Sequence, residues 1–184
     1  CRCMAKTSVI IPHWPWGEEI QEKLRQCVQS LSGADEVLIV VNDKIGFAKA
    51  VNQGLRSATG DYLIVLNNDT IVSGDLHDLC IEGTVTSPLV NGMEKSFWGA
   101  CFCIPREVYE KVGGLDEDFK VGYFEDDAYI ITLERAGVPM GGVRTVNIST
   151  QGGATMQTLE DRDEIFKTNQ EIFRKKYGNS SNAN

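Results

Sequence analysis

The sequence predicts an α/β fold, with a mostly parallel central sheet covered by helices on both faces. Two observations carry that expectation. Three short runs, "TSVIIP" (residues 7–12), "EVLIVV" (36–41) and "DYLIVL" (61–66), are apolar and rich in β-branched residues, as strands buried on both sides are. Between them lie two stripes at helical spacing. The first is Ile20, Leu24, Cys27, Val28 and Leu31, ended by Gly33. The second is Phe47, Ala48, Val51, Leu55 and Ala58, ended by Gly60. Strand, helix, strand, helix, strand in that order makes a parallel sheet with helical crossovers.

The second half is less regular. Residues 71–97 hold Gly74, Gly83, Pro88 and Gly92 and predict a short helix among loops. "SFWGACFCIP" (96–105) predicts a strand, and "REVYEKVG" a brief helix stopped at Gly113-Gly114. In "LDEDFKVGYFEDDAYIITLERAG" a cluster of carboxylates leads into a helix that Gly137 and Pro139 end. "GGVRTVNI" (141–148) suits a last strand, and Ile165, Phe166, Ile172, Phe173 and Tyr177 mark an amphipathic helix. No internal repeat and no second domain shows. One domain is expected over residues 4–178, with a polar, disordered tail at 179–184.

Composition narrows the function. A chain of 184 residues with 42% hydrophobic and 24% charged residues is long enough for a sizeable core. A formal charge of −8 with no basic stripe argues against a nucleic-acid binder. An anionic substrate would then need a local device, such as a metal ion or backbone amides. No apolar run approaches the roughly 20 residues of a membrane span, and no signal peptide is read before the first strand. The six cysteines form no CxxC pair, and His13 and His77 are the only histidines, so structural zinc is not expected. Buried free thiols point to a reducing cytosol, with peripheral membrane attachment left open. Cys1 with Met4 close behind reads as a remnant or the start of a fragment, and the first few residues are set aside.

Ligands of parallel sheets sit outside the carboxyl ends of the strands. Pro12-His13, Asn42-Asp43 and Asn67-Asn68-Asp69 occupy those ends. Any one of them is an ordinary turn, because Asn and Asp favour turns. Together they form a candidate site. Asp69 beside two asparagines suits a hard cation such as Mg²⁺ or Mn²⁺, which takes oxygen ligands and keeps positions open for phosphates. Glu125, Asp126 and Asp127 stand where a helix should begin, and each alone is explained as a dipole complement. The dipole also favours ionisation, which keeps a proton acceptor available. Asn52, on the border of its stripe, is equally a structural tie and a donor contact. Lys49, Arg56 and His77 are expected on the surface. Trp14 and Trp16 either cover the core or stack on a base.

In order and spacing, "SVIIP", "GFAKAVNQGL", "ATGDYLIVLNNDT", "GACFCIPREVYEKVGGLDEDF", "GYFEDDAYI" and "FRKKYG" resemble the family 2 glycosyltransferases of the GT-A, Rossmann-like fold, especially their rhamnosyltransferase-like branch. The likeness runs from about residue 7 to 178. It implies inverting, metal-assisted transfer of a hexose-type sugar from a UDP- or dTDP-linked donor to an acceptor hydroxyl, as in polysaccharide biosynthesis. The acceptor would be a glycan or a lipid- or protein-linked group. Asn67-Asn68-Asp69 falls on the family's DxD-like motif, so Asp69 would meet the Mn²⁺ or Mg²⁺ and the diphosphate. Pro12, His13, Asn42, Asp43, Asn52, Asn67 and Asn68 would complete the donor site. Asp126 would be the catalytic base, with Glu125 beside it as an orienting or acceptor-binding group. Trp98, Gly99, Ala100 and Asp127 would adjoin the sugar and acceptor, and Asp127 would otherwise be an outward-facing cap.

The pattern departs from the family in three places. Ala128 stands where a further acidic residue is frequent, and Thr150 or Gln151 where a metal-binding histidine is frequent. The loop from Asp43 to Gly46 is very short. The missing histidine, Ala128 and the small size motivate an alternative, a noncatalytic nucleotide-sugar-binding or scaffold domain of a larger assembly; further domains or a homo-oligomer are left open. A nucleotidyltransferase would favour a Gly-rich basic loop after the first strand, and "PHWPWGEE" is not one.

Overall fold

The computed structural model describes residues 5–150 and 161–178; Gln151 and the 179–184 tail lie outside them. Its first third follows the sequence expectation closely. β1 (Thr7–His13), α1 (Glu18–Gln29), β2 (Glu36–Val41), α2 (Phe47–Ser57) and β3 (Tyr62–Leu66) alternate in order. Both β2 and β3 pair with β1 in parallel.

The expectation of a mostly parallel sheet is corrected beyond β3. After β4 (Thr70–Ser73) and a one-turn 3₁₀ helix (Leu76–Leu79) come β5 (Val85–Val90) and β6 (Cys101–Pro105). Helices α3 (Arg106–Val112) and α4 (Glu125–Arg135), strand β7 (Met140–Thr150) and helix α5 (Arg162–Tyr177) complete the order. Among the described residues the strands form one seven-stranded mixed sheet, β2-β1-β3-β6-β5-β7-β4. β6 runs antiparallel to both β3 and β5, β4 runs antiparallel to β7, and β5 and β7 are parallel. Residues 71–97 therefore hold strands β4 and β5 where loops were expected. Glycine and proline in that stretch masked short strands whose partners are remote in sequence.

Two apolar layers sandwich the sheet. On one face Ile10, Leu63, Val65, Phe102 and Ile104 pack under α2, α3 and α4, through Val51, Leu55, Val108, Tyr129 and Leu133. Gly54 makes the α2 contact possible, since a Cβ there would run into the Ile10 side chain. On the other face Val9, Ile11, Ile64 and Leu66 meet Leu24, Cys27 and Val28 of α1. Coverage is incomplete at the β2 edge. Val37, Ile39 and Val41 are exposed, so "EVLIVV" is half-covered rather than buried on both sides.

A third cluster joins α5 to the rest through Phe119, Phe124, Ala128 and Phe173. Phe124 stacks obliquely on both Phe166 and Phe173, with ring centroids 5.1 and 5.5 Å apart. Lys176 and Tyr177 bind the Asp116 carboxylate at 2.8 Å each. The C-terminal helix thus braces the chain segment that leads into α4.

Candidate active site

A cavity of about 850 Å³ opens at the carboxyl ends of the parallel strands. Pro12, Asn42, Asn67, Asn68 and Asp69 form one wall, and Glu125, Asp126 and Asp127 another. That volume lies within the usual range for a small-molecule or cofactor site.

The Asn-Asn-Asp turn is braced from three directions. The Asn67 N–H donates to the Ala100 carbonyl at 3.0 Å, continuing the β3–β6 ladder by one residue. The Asn67 carbonyl accepts from the Thr70 hydroxyl at 2.8 Å, and the Cys27 thiol of α1 approaches it at 3.6 Å. Asn68 is buried, and its amide nitrogen donates to His13 Nδ1 at 2.9 Å. His13 then carries its proton on Nε2, a buried atom with no partner among the described residues. Burial lowers the His13 pKa, which favours the neutral ring. His13 supports the turn from behind and does not line the cavity. Asn68 is partly structural, while Asp69 and Asn67 remain at the cavity wall, the Asn67 side-chain oxygen buried and without a partner among the described residues.

The other wall owes its place to antiparallel pairing. Leu66 of β3 lies opposite Cys101 of β6, so the residues just before β6 stand beside the residues just after β3. Trp98, Gly99 and Ala100 accordingly line the cavity next to Asn67. Lys95 Nζ sits 4.5 Å from the centre of the Trp98 ring, a cation–π contact. Gly99 faces Asp126 directly, since a Cβ at Gly99 would lie 2.6 Å from Asp126 Oδ2. The carboxylate can occupy that spot only because residue 99 has no side chain.

Helix α4 starts without a side-chain cap, and Phe124 before it is left-handed, with φ of 72°. Val121 and Tyr123 are left-handed too, with φ of 57° and 77°. Non-glycine residues held there cost about 1–3 kcal/mol each. The segment is held nonetheless, in part because the Phe47 N–H donates to the Val121 carbonyl at 2.8 Å.

The electrostatics correct one expectation. The helix start was expected to favour ionised carboxylates, but burial overrides it. Glu125 is buried among its neighbours and pushed up to about 8, first by desolvation and then by Asp126. Its Oε2 has no partner among the described residues. Asp126 and Asp127 are also raised by burial, while Lys95 pulls both back. Asp126 Oδ1 accepts from the Asp127 N–H at 3.0 Å. Asp127 lines the cavity and is not an outward-facing cap.

Besides His13, two more expected donor residues stand elsewhere. Asn52 is buried, donating to the Leu115 carbonyl at 2.8 Å and to Glu117 at 2.9 Å, and accepting from the Leu115 N–H at 2.8 Å. Its amide ties α2 to the loop after α3. Asp43 is exposed and does not line the cavity. Asn42 lines it and also anchors the following turn, its Oδ1 accepting from Gly46 N–H at 3.0 Å. Trp14 lines the cavity, while Trp16 is 59% exposed and covers no core. The sequence reading missed Lys95, Tyr123, Phe124 and Phe166, all of which line the cavity. Aromatic density in "YFEDD" was the available signal for two of them.

Among the described residues no group of three His, Cys, Asp or Glu side chains could hold a metal ion. Asp69 and the unpartnered Asn67 oxygen fit a partial oxygen-ligand site, of the kind that a diphosphate and water complete.

Residues 17–82 match the model of glycosyl transferase family 2. No curated protein matches the chain by sequence. Among solved structures, GalNAc-T7 with UDP, GalNAc and Mn²⁺ is similar over 82% of this chain and 44% of its own, with TM-score 0.62 and 12% identity. The mannosyltransferase PcManGT of Pyrobaculum calidifontis, with GDP-Man and Mn²⁺, is similar over 83% of this chain and 59% of its own (TM-score 0.59, 15% identity). A mutant Drosophila β1,4-galactosyltransferase 7 with manganese, UDP-Gal and xylobiose is similar over 87% of this chain and 79% of its own (TM-score 0.60, 13% identity). The chain thus spans less than two thirds of the first two. At these identities the likeness establishes a shared α/β fold with a mixed sheet. No helix among the described residues is long and apolar enough to cross a membrane.

Proposed function

We propose that this domain, over residues 4–178, is an inverting glycosyltransferase that moves a sugar from a nucleoside-diphosphate donor to an acceptor hydroxyl. One observation carries the reading. Asp69 and the Glu125–Asp127 carboxylates, 56 residues apart or more in sequence, face one cavity beside a small-residue gap at Gly99. The match to family 2 and the nucleotide-sugar complexes among the structural neighbours support it.

Asp69, with Asn67, would hold a divalent cation against the donor diphosphate. Bound there, Mn²⁺ or Mg²⁺ supplies positive charge to the leaving diphosphate. Across the cavity Asp126 accepts the acceptor hydroxyl's proton as that oxygen bonds to the anomeric carbon. The sugar–phosphate bond breaks on the opposite face, which inverts the configuration. Asp126 suits the role better than Glu125, which is held protonated near neutral pH. A base must be ionised, so the rate should fall as pH drops through the raised Asp126 pKa. Trp14, Trp98, Tyr123 and Phe166 offer aromatic faces for base, sugar or glycan acceptor.

The test is a transfer assay with UDP-, GDP- and dTDP-linked sugars, with Mn²⁺ or Mg²⁺, read by release of nucleoside diphosphate and by anomeric configuration of the product. Asp126→Asn should lower turnover on the order of 10²- to 10⁴-fold, with donor affinity kept. Donor binding without transfer to any acceptor would replace the enzyme with a nucleotide-sugar-binding scaffold. Retained configuration would remove the inverting mechanism.

A further inference from the structure

We propose that Asn169, on α5, is a positioning residue that holds the left-handed loop before α4 and thereby sets the Glu125–Asp127 carboxylates against the cavity. The proposal rests on the cavity being the transfer site. Asn169 lies outside the cavity wall and would act only through the loop.

The geometry is one of complete commitment. Asn169 is fully buried in a helix whose only other buried residue is Phe173. Its Oδ1 accepts from the Lys120 N–H at 2.9 Å. Its Nδ2 donates to the carbonyls of Lys120 at 2.8 Å and Gly122 at 2.7 Å, with Tyr123 at 3.3 Å. All of these partners belong to one loop, and the amide gives nothing to its own helix. A buried amide is tolerable only when satisfied, so helix and loop specify each other.

The loop needs such a tie. Val121, Tyr123 and Phe124 all have positive φ without being glycine, and Val121 is β-branched, the least tolerant case. The strain leads straight into α4, whose first helical bond runs from the Ala128 N–H to the Phe124 carbonyl at 2.9 Å. The N-cap residue Phe124 makes no side-chain capping bond among the described residues, so the loop has a direct part in where the helix starts. The aromatic contacts of Phe166 and Phe173 with Phe124 hold α5 nearby, but ring packing does not choose carbonyl directions. The Asn169 amide does.

Asn169→Asp keeps the size and the acceptor while removing the donor and setting a carboxylate against carbonyls; Asn169→Ala removes both. Lys167→Ala, at an exposed position of the same helix, is the control. Hydrogen exchange should show residues 120–128 losing protection by about tenfold or more in both variants, with β1 and β3 unchanged. Turnover should fall on the order of 100-fold, as for a displaced catalytic group, with donor KM within about twofold. Unchanged protection over 120–128 would overturn the proposal. So would protection lost throughout the chain, because Asn169 would then be holding the domain and not the loop. Local loss of protection in the variants, with a wild-type protein that itself transfers no sugar, would leave the latch standing and remove the transferase reading.

Discussion

Asparagine and aspartate differ by one protonatable group, and the Asn67-Asn68-Asp69 turn divides its labour accordingly. Asn68 spends its amide nitrogen on His13, a buried ring whose neutral form is favoured. Asp69 is left at the wall, where Asp69→Ala should abolish metal-dependent nucleoside diphosphate binding by calorimetry without unfolding the protein. Unchanged affinity in Mn²⁺ would remove Asp69 as the metal ligand. Glu125 shows the opposite economy, since its carboxyl is buried and raised to about 8 from an ordinary value of 4.5. A raised carboxyl favours the folded state at low pH. That contribution is intact below about 4.5 and is lost as pH rises through about 8, because the unfolded chain ionises more readily. Glu125→Gln should therefore raise the melting temperature at pH 8 relative to wild type, by an amount worth up to several kcal/mol, and change little at pH 4. An equal shift at both pH values would show that Glu125 is not held protonated.

At the scale of elements, Asn52 is the buried tie between α2 and the loop after α3, beside the exposed Arg56–Glu117 pair and the Phe47–Val121 backbone bond. Asn52→Ala would leave the Leu115 N–H and carbonyl without their partner, at a cost of about 1–3 kcal/mol. Donor affinity should not change, because Asn52 does not reach the cavity. Denaturant unfolding measures the first effect and calorimetry the second; weakened donor binding at unchanged stability would return Asn52 to the donor site. The sequence left Asn52 open between these roles, since helical spacing places it on a stripe border without saying what lies opposite. Helices α1 and α2 and strands β1 to β3 were legible because each carries its own periodic pattern. β4 and β5 were not, because short strands with Gly and Pro nearby acquire their character from the strands they join.

For the molecule as a whole, the parallel first half supplies one wall of the cavity and the mixed second half the other. On the proposed reading, a metal held at Asp69 would have few protein ligands until a diphosphate arrives. Mn²⁺ alone should bind weakly, and nucleoside diphosphate with Mn²⁺ should bind together. At 100 times the dissociation constant, the pair should stabilise the fold by about 2.7 kcal/mol, read as a rise in melting temperature. Tight Mn²⁺ binding to the free protein would show that further side chains complete the site. Thr150 or Gln151 stands where the family resemblance places a metal-binding histidine, and Gln151 lies outside the described residues.

By itself the sequence determined which chemistry stands at the ends of β1, β2 and β3, because strand periodicity locates those ends and residue type states what they carry. It also determined that a run of acidic residues opens a helix. Only the tertiary structure decided that these two sets share a cavity. The antiparallel return of β6 sets Gly99 beside Asn67, and a missing Cβ there admits the Asp126 carboxylate. Only the tertiary structure raised the Glu125 carboxyl, since burial outweighs the helix dipole there. Asn169 belongs to the same class. An asparagine inside a helix carries no local signal, and its role exists only through the loop 46 to 49 positions away that its amide satisfies.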